Sequence, residues 1–238
     1  MKNIYSNTHL RGESCYLDDI PLQQGSLFAA VFDSPLAHGI IRSLDTGEAA
    51  AMPGVVRIFT AADIPGENQI GGIVPDEELL AGERVHFCGM PIALVVAETD
   101  EAARAAVKKI RVEIDPLPVT TDPREAKEKG ELIIPPRHFT LGDTETAWSQ
   151  CTHIFEGRAD CNGQEHLYIE TQGAYAIPQE NGAIRICSST QGPTAVQRTA
   201  ARVLNLPMHR IEVDTVALGG GFGGKEDQAT TWGVMVAL

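Results

Sequence analysis

The hydrophobic pattern changes character several times along the chain, and the clearest stretch lies near its middle. The run "MPIALVVAE" (90–98) is almost wholly apolar and predicts a buried strand. Thr99, followed by Asp100 and Glu101, opens a helix over "DEAARAAVKK", and "IRVEIDPLP" (110–118) predicts a second strand, giving a strand-helix-strand unit. Upstream, "SLFAAVF" (26–32) and "VVRIF" (55–59) read as strands, while "TGEAAAMPG" (46–54) and "TAADIPG" (60–66) read as short helices. Thr46 and Thr60 are placed to cap these helices, and Pro and Gly end them.

From 120 to 143 periodicity gives way to Pro, Gly and mixed charge, which marks a linker or extended crossover. The limits drawn are 1–130 for a first domain, 131–145 for the linker and 146–238 for the start of a second. Beyond the linker, "THIFEGRAD", "YIETQGAYAI" and "AIRICSS" are candidate strands. A helix begins at Pro193, with Val196, Ala200, Val203 and Leu204 at helical spacing. The last strand, "RIEVDTVAL", runs into a glycine-rich loop, and "QATTWGVMVAL" starts a helix. That final apolar stretch stops without a cap or polar tail, which suggests a truncation that removes its packing partner.

The chain has 238 residues, enough for one large domain or two ordinary ones. Its formal charge of -13 argues against nucleic acid, whose phosphate backbone requires clustered Lys and Arg. No apolar run is long enough to span a membrane, and the first residues lack the apolar core of a secretion signal, so a cytoplasmic location is expected. Five scattered cysteines with no C-x-x-C pair indicate neither a disulfide framework nor a zinc or iron-sulfur site; buried free thiols are expected.

The stretch "ALGGGFGGKEDQ" (217–228) carries the most chemistry. It fits G-x-x-x-x-G-K, but a phosphate-binding P-loop needs Ser or Thr after the Lys as a magnesium ligand, and Glu226 stands there. It also fits G-x-G-x-x-G, but Phe222 places a ring where a pyrophosphate needs open backbone. Two readings stay open. One is a backbone that approaches a planar, hydrogen-bonding ligand on both sides of an aromatic ring; the other is a close-packed bend with Phe222 in the core. His166 and Glu170, at i and i+4 in "QEHLYIE", read as hydrogen-bonded scaffold on a strand rather than as metal ligands.

Four stretches resemble the molybdenum hydroxylases, the aldehyde oxidase and xanthine dehydrogenase family. "AHGIIRSLDTGEAAAMPGVVRIFTAADIPGEN" and "GMPIALVVAETDEAARAAVKKIRVEIDPLPVTTDPREA" resemble its N-terminal hammerhead domain. "GQEHLYIETQGAYAIP" and "SSTQGPTAVQRTAARVLNLPMHRIEVDTVALGGGFGGKE" resemble the start of its molybdopterin-binding domain. The fold class implied is α+β: an α/β hammerhead domain followed by the first, incomplete part of a molybdopterin-binding α+β domain. The resemblance implies a molybdenum-molybdopterin cofactor held without any protein side chain on the metal. Iron-sulfur (2Fe-2S) and FAD subunits or domains and the remaining C-terminal part of the molybdenum subunit are the implied partners.

By position, the resemblance makes the Gln191 amide a donor to the molybdenum oxo ligand. Gly220, Gly221, Phe222 and Gly223 become the backbone cradle of the cofactor. Phe222 also contacts substrate, and Glu226 binds a purine such as xanthine or hypoxanthine. The implied reaction is hydroxylation with water as oxygen source. The family's general base, a glutamate, and its substrate arginine lie outside this chain, so the chain alone is expected to be inactive. Asp33 in "FDSPLAHG" and Gly89 with Met90 in "CGMP" depart from the family pattern, and both concern packing rather than chemistry. Gln191 as a cap for the helix at Pro193, Glu226 as an ordinary first-turn acid, another N-heterocycle or an aldehyde as substrate, and a non-catalytic assembly module with this fold are the alternatives.

Overall fold

The computed structural model describes residues 6–238. Residues 6–117 and 166–238 form one compact unit, and residues 118–165 form a second. The first half of the larger unit contains two antiparallel three-stranded sheets. In one, β1 (Phe28–Asp33), β3 (Val55–Thr60) and β5 (Pro91–Ala97) pair in the order β1-β5-β3; in the other, β2 (Gly39–Asp45), β4 (Arg84–Val85) and β6 (Arg111–Pro116) pair as β4-β2-β6.

β5 is central because its sequence leaves it no solvent face. Ala93 and Val95 point one way, into a cluster with Ala49, Ala106 and Ile110, while Leu94 points the other way, against residues of the second half. The helix between β5 and β6, α3 (Asp100–Val107), buries Ala103 and Ala106, and its first turn is held by the Ala102 N–H donating to Thr99 Oγ1 at 3.1 Å. Thr99→Ala is expected to lower stability by about 1 kcal/mol, read as a shift in the urea unfolding midpoint. The expected strand-helix-strand unit is present as elements, but β5 and β6 belong to different sheets, so it is not a parallel crossover.

Other expectations change. The helix read over 46–54 is a single turn, α2 (Gly47–Ala50), and the one over 60–66 is a 3-10 turn, Ala61–Asp63. Thr46 makes no side-chain cap, whereas Thr60 donates through both its N–H and hydroxyl to Asp63 Oδ2. β2 and β4 went unread, because β2 is only partly buried and β4 is two residues long. A short helix, α1 (Ser6–Leu10), precedes them all. Cys15, Cys88, Cys151 and Cys161 are exposed rather than buried; only Cys187 is buried, and burial pushes its thiol pKa up.

The smaller unit has two short helices, α4 (Pro123–Lys129) and α5 (Thr144–Ser149), each capped by an aspartate, Asp122 and Asp143. The stretch 152–160, read as a strand, is irregular. The adjacent apolar residues Ile154 and Phe155 are both exposed and bury no face there.

The second half of the larger unit carries the third sheet, β7 (Ala174–Pro178), β8 (Ile184–Ser188) and β9 (Ile211–Thr215), in that order. β7 and β8 are antiparallel, and β8 and β9 are parallel, joined through α6 (Pro193–Val203). Val196, Ala200 and Val203, three of the four apolar residues spaced for a helix, are buried on the face of α6 that meets the core. α7 (Asp227–Met235) adds Val234 and Met235 to that core, and Gly233 lets it approach α6: a Cβ there would lie 2.7 Å from Val196 Cγ1.

Candidate molybdopterin site

Parallel pairing places the ends of β8 and β9 at the same edge of the sheet, with Ser188 opposite Thr215. The segments that follow, 189–192 and 216–226, therefore leave side by side, the position where open α/β sheets bind ligands. Gln191 lies on the first and the glycine loop on the second.

The two segments are tied through Lys225 and Gln191. The Gln191 N–H donates to the Lys225 carbonyl at 2.7 Å, and Gln191 Oε1 accepts from the Gly223 N–H at 3.0 Å and the Lys225 N–H at 3.3 Å. With its oxygen engaged twice, the amide has Nε2 left as its donor. Gln191 does not cap α6; Gly192 holds the N-cap position without a side-chain cap bond.

The loop backbone is bent in a way few residues accept. Gly220, Phe222 and Gly223 have φ of +99°, +53° and +92°. Gly221 is fixed by space instead: a Cβ there would stand 2.5 Å from Gln191 Oε1 and 2.7 Å from its Cδ. The N–H groups of Gly220, Gly221 and Phe222 have no partner among the described residues. Three successive unpaired donors beside a side-chain amide donor form a set suited to an oxygen-rich, negatively charged group. Phe222 is 75% exposed, so the reading that places it in the core is wrong. Its ring lies against the Cα side of Gly220, near 3.1 Å from a Cβ built there.

Beneath the loop lies a buried charged node that the sequence reading did not find. Lys225 is fully buried, with Nζ 2.9 Å from Glu170 Oε2, 2.7 Å from Ser189 Oγ and 4.9 Å from the centre of the Tyr168 ring. Glu170 Oε2 also accepts from Ser189 Oγ at 2.5 Å and from the Gly219 N–H at 2.9 Å. Burial raises the Glu170 pKa, but the bonds from Ser189, Gly219 and Lys225, together with the lysine charge, outweigh it and hold the carboxyl below its ordinary value. Glu170 is thus hydrogen-bonded scaffold, although not on a strand. The backbone turns at Leu167, φ +48°, which brings His166 and Tyr168 both against Gly224.

Glu226 stands at the N-cap of α7, exposed, with no side-chain cap bond. Its carboxylate makes no hydrogen bond or ion pair among the described residues and does not cap the helix. No group of three or more His, Cys, Asp or Glu among the described residues could hold a metal ion, and none of their helices is long and apolar enough to cross a membrane. An open groove of about 1560 Å³ between the β1/β3 sheet, β7 and the end of α7 includes Gln172 but neither Gln191 nor the loop, so it is a separate feature.

The fold is that of a hammerhead domain leading into a molybdopterin-binding domain. Residues 11–118 match the aldehyde oxidase and xanthine dehydrogenase a/b hammerhead domain, and residues 125–238 match the molybdopterin cofactor-binding domain. The chain belongs to the aldehyde oxidase and xanthine dehydrogenase family.

It is 39% identical over 232 residues to aldehyde oxidase 2 of Cavia porcellus, covering 97% of this chain and 17% of that protein. It is 38% identical over 231 residues to xanthine dehydrogenase of Calliphora vicina, covering 95% and 17%. Among solved structures, the aldehyde oxidoreductase from Desulfovibrio gigas superposes with a TM-score of 0.83 at 25% identity, over 98% of this chain and 29% of that one. The chain thus spans about a sixth of the length of these curated relatives.

Proposed function

We propose that this chain supplies one wall of the molybdenum site of a hydroxylase acting on purines, xanthine or hypoxanthine. The observation that carries the substrate class is Glu226: an exposed carboxylate with no capping duty, directly after the buried Lys225 and four residues from the Phe222 ring. A free carboxylate accepts hydrogen bonds from ring N–H groups, which a purine has and a simple aldehyde lacks.

The donor set fits the cofactor. Gln191 Nε2 and the unpaired N–H groups of Gly220, Gly221 and Phe222 would hold it, with Gly223 shaping the turn. When bound, the molybdenum-molybdopterin group supplies the two-electron oxidation of the substrate, with electrons passing to 2Fe-2S and FAD partners. Gln191 Nε2 would donate a hydrogen bond to the bound cofactor, Phe222 would present a ring to the planar substrate, and Glu226 would fix the substrate's rotation. The base that accepts the proton and the arginine opposite Glu226 come from the remaining part of the molybdenum subunit.

An aldehyde substrate is the second reading, favoured by the near-equal identity to an aldehyde oxidase and a xanthine dehydrogenase. In the assembled enzyme, Glu226→Ala is expected to lower kcat/KM for xanthine by roughly a hundredfold or more, because an unpaired ring N–H costs that much in recognition. Aldehyde turnover should remain within a few-fold. Unchanged purine kinetics, or an enzyme that oxidises aldehydes and no purine, would overturn the assignment.

A further inference from the structure

We infer that the Glu170–Lys225 ion pair is a positioning device: one partly buried carboxylate grips both ends of the glycine loop and thereby sets the aim of the Gln191 amide. The inference deepens the proposed site and rests on the reading of Gln191 as a cofactor-facing donor.

Lys225 touches three consecutive residues of the opposite segment. Its Nζ binds Ser189, its carbonyl accepts from the Thr190 hydroxyl at 3.2 Å and from the Gln191 N–H, and its own N–H holds Gln191 Oε1. Glu170 adds the far end of the loop through the Gly219 N–H, and Gly219 carbonyl accepts the Glu170 N–H at 3.3 Å. Glu170 Oε1 meets the Leu17 N–H at 3.5 Å, so the same side chain is itself braced from the N-terminal segment. Losing the Lys225 charge removes one of the three donors that hold Glu170 Oε2 and one of the two partners of Ser189 Oγ, while losing the Glu170 carboxylate removes the acceptor of the Gly219 N–H outright.

Simple packing does not explain this arrangement. An apolar side chain of lysine's length would fill the same space without the desolvation of two charges, and such replacements are commonly neutral or stabilising. What an apolar side chain cannot do is bond Glu170 and Ser189 at once. The Tyr168 ring over Nζ and the Gln172 amide, which donates to Tyr168 Oη at 3.0 Å and to the Gly224 carbonyl at 2.7 Å, close the node from the remaining side.

The test is residue-resolved amide exchange and the side-chain amide spectrum of Gln191 in the cofactor-free 238-residue chain, comparing Lys225→Met, Glu170→Gln and the double variant. Neither readout needs cofactor or turnover, so the result stands apart from the substrate assignment. In Lys225→Met, exchange at the amides of Gly219 and Gly223 is expected to rise roughly tenfold or more, while Ile186 and Val213 in β8 and β9 keep their protection. The two Gln191 side-chain amide signals should stay distinct but move toward the shifts and solvent exchange of a free glutamine as the side chain loses its fixed rotamer.

Glu170→Gln, which keeps a carbonyl oxygen for Ser189 and Gly219, should give the same pattern more weakly, and it decides the question if Lys225→Met does not fold. The double variant should exchange no faster than Lys225→Met, because the pair acts as one unit. Unchanged loop exchange, equal loss of protection in β8 and β9, an unaltered Gln191 amide, or multiplying effects in the double variant would each overturn the inference.

Discussion

Replacing Glu170 with Ala is expected to destabilise the larger unit by about 3–5 kcal/mol at neutral pH, because it strands the Lys225 charge in a site with no other carboxylate partner among the described residues. The pH dependence gives a sharper reading than the midpoint. The Glu170 pKa in the folded chain lies below its ordinary value. The carboxylate therefore contributes stability that is fully present above the unfolded-state pKa and is lost as pH falls through the depressed folded one. The parent chain should weaken on that acid limb, and Glu170→Ala should lack this component, so the two stability curves converge on acidification. Urea unfolding across the acid range measures both; parallel curves would show that the carboxylate is not charged in the fold.

Gly66→Ala is expected to cost about 2–3 kcal/mol for a different reason, overpacking against backbone that cannot yield. The Gly66 N–H donates to the Val203 carbonyl at 2.8 Å, and the Glu67 N–H donates to the Arg202 carbonyl at 3.3 Å, so this loop lies along the last turn of α6. A Cβ at position 66 would collide with the Arg202 carbonyl and sit 2.7 Å from that of Val203 and 2.9 Å from the Asn205 nitrogen. Those groups belong to a helix terminus, and moving them disturbs Val203, which is fully buried. Thermal unfolding monitored by circular dichroism should show a fall of several degrees. An unchanged midpoint would mean that the hammerhead loop and α6 part without penalty.

How much of this was legible depended on whether a residue's type matched its environment. β5 and α3 were read because an unbroken apolar run and a Thr cap signal them locally. Their assignment to separate sheets was not, because pairing partners lie far along the chain. The strand expected over 152–160 failed because a short apolar pair such as Ile154 and Phe155 says nothing about whether a second surface exists to cover it. Gln191, Phe222 and Glu226 were picked out from the sequence, and the structure brings Gln191 and the glycine loop together. Lys225 was read only as the lysine of a glycine-loop pattern; its burial was not legible, since lysine is rarely buried unless paired and its partner Glu170 lies 55 residues away.

The left-handed residues of the loop have a consequence for binding itself. Gly220, Phe222 and Gly223 hold conformations that an unrestrained chain visits only part of the time, and bonds within the protein brace the turn: the Gly223 N–H to Gln191 Oε1 and the Gly224 N–H to the Gly221 carbonyl. A group arriving at the three open N–H donors meets them already turned, so the ordering that a mobile loop would charge against affinity is met during folding instead. Donors set by internal bonds in this way reduce the ordering that a ligand must impose on the loop.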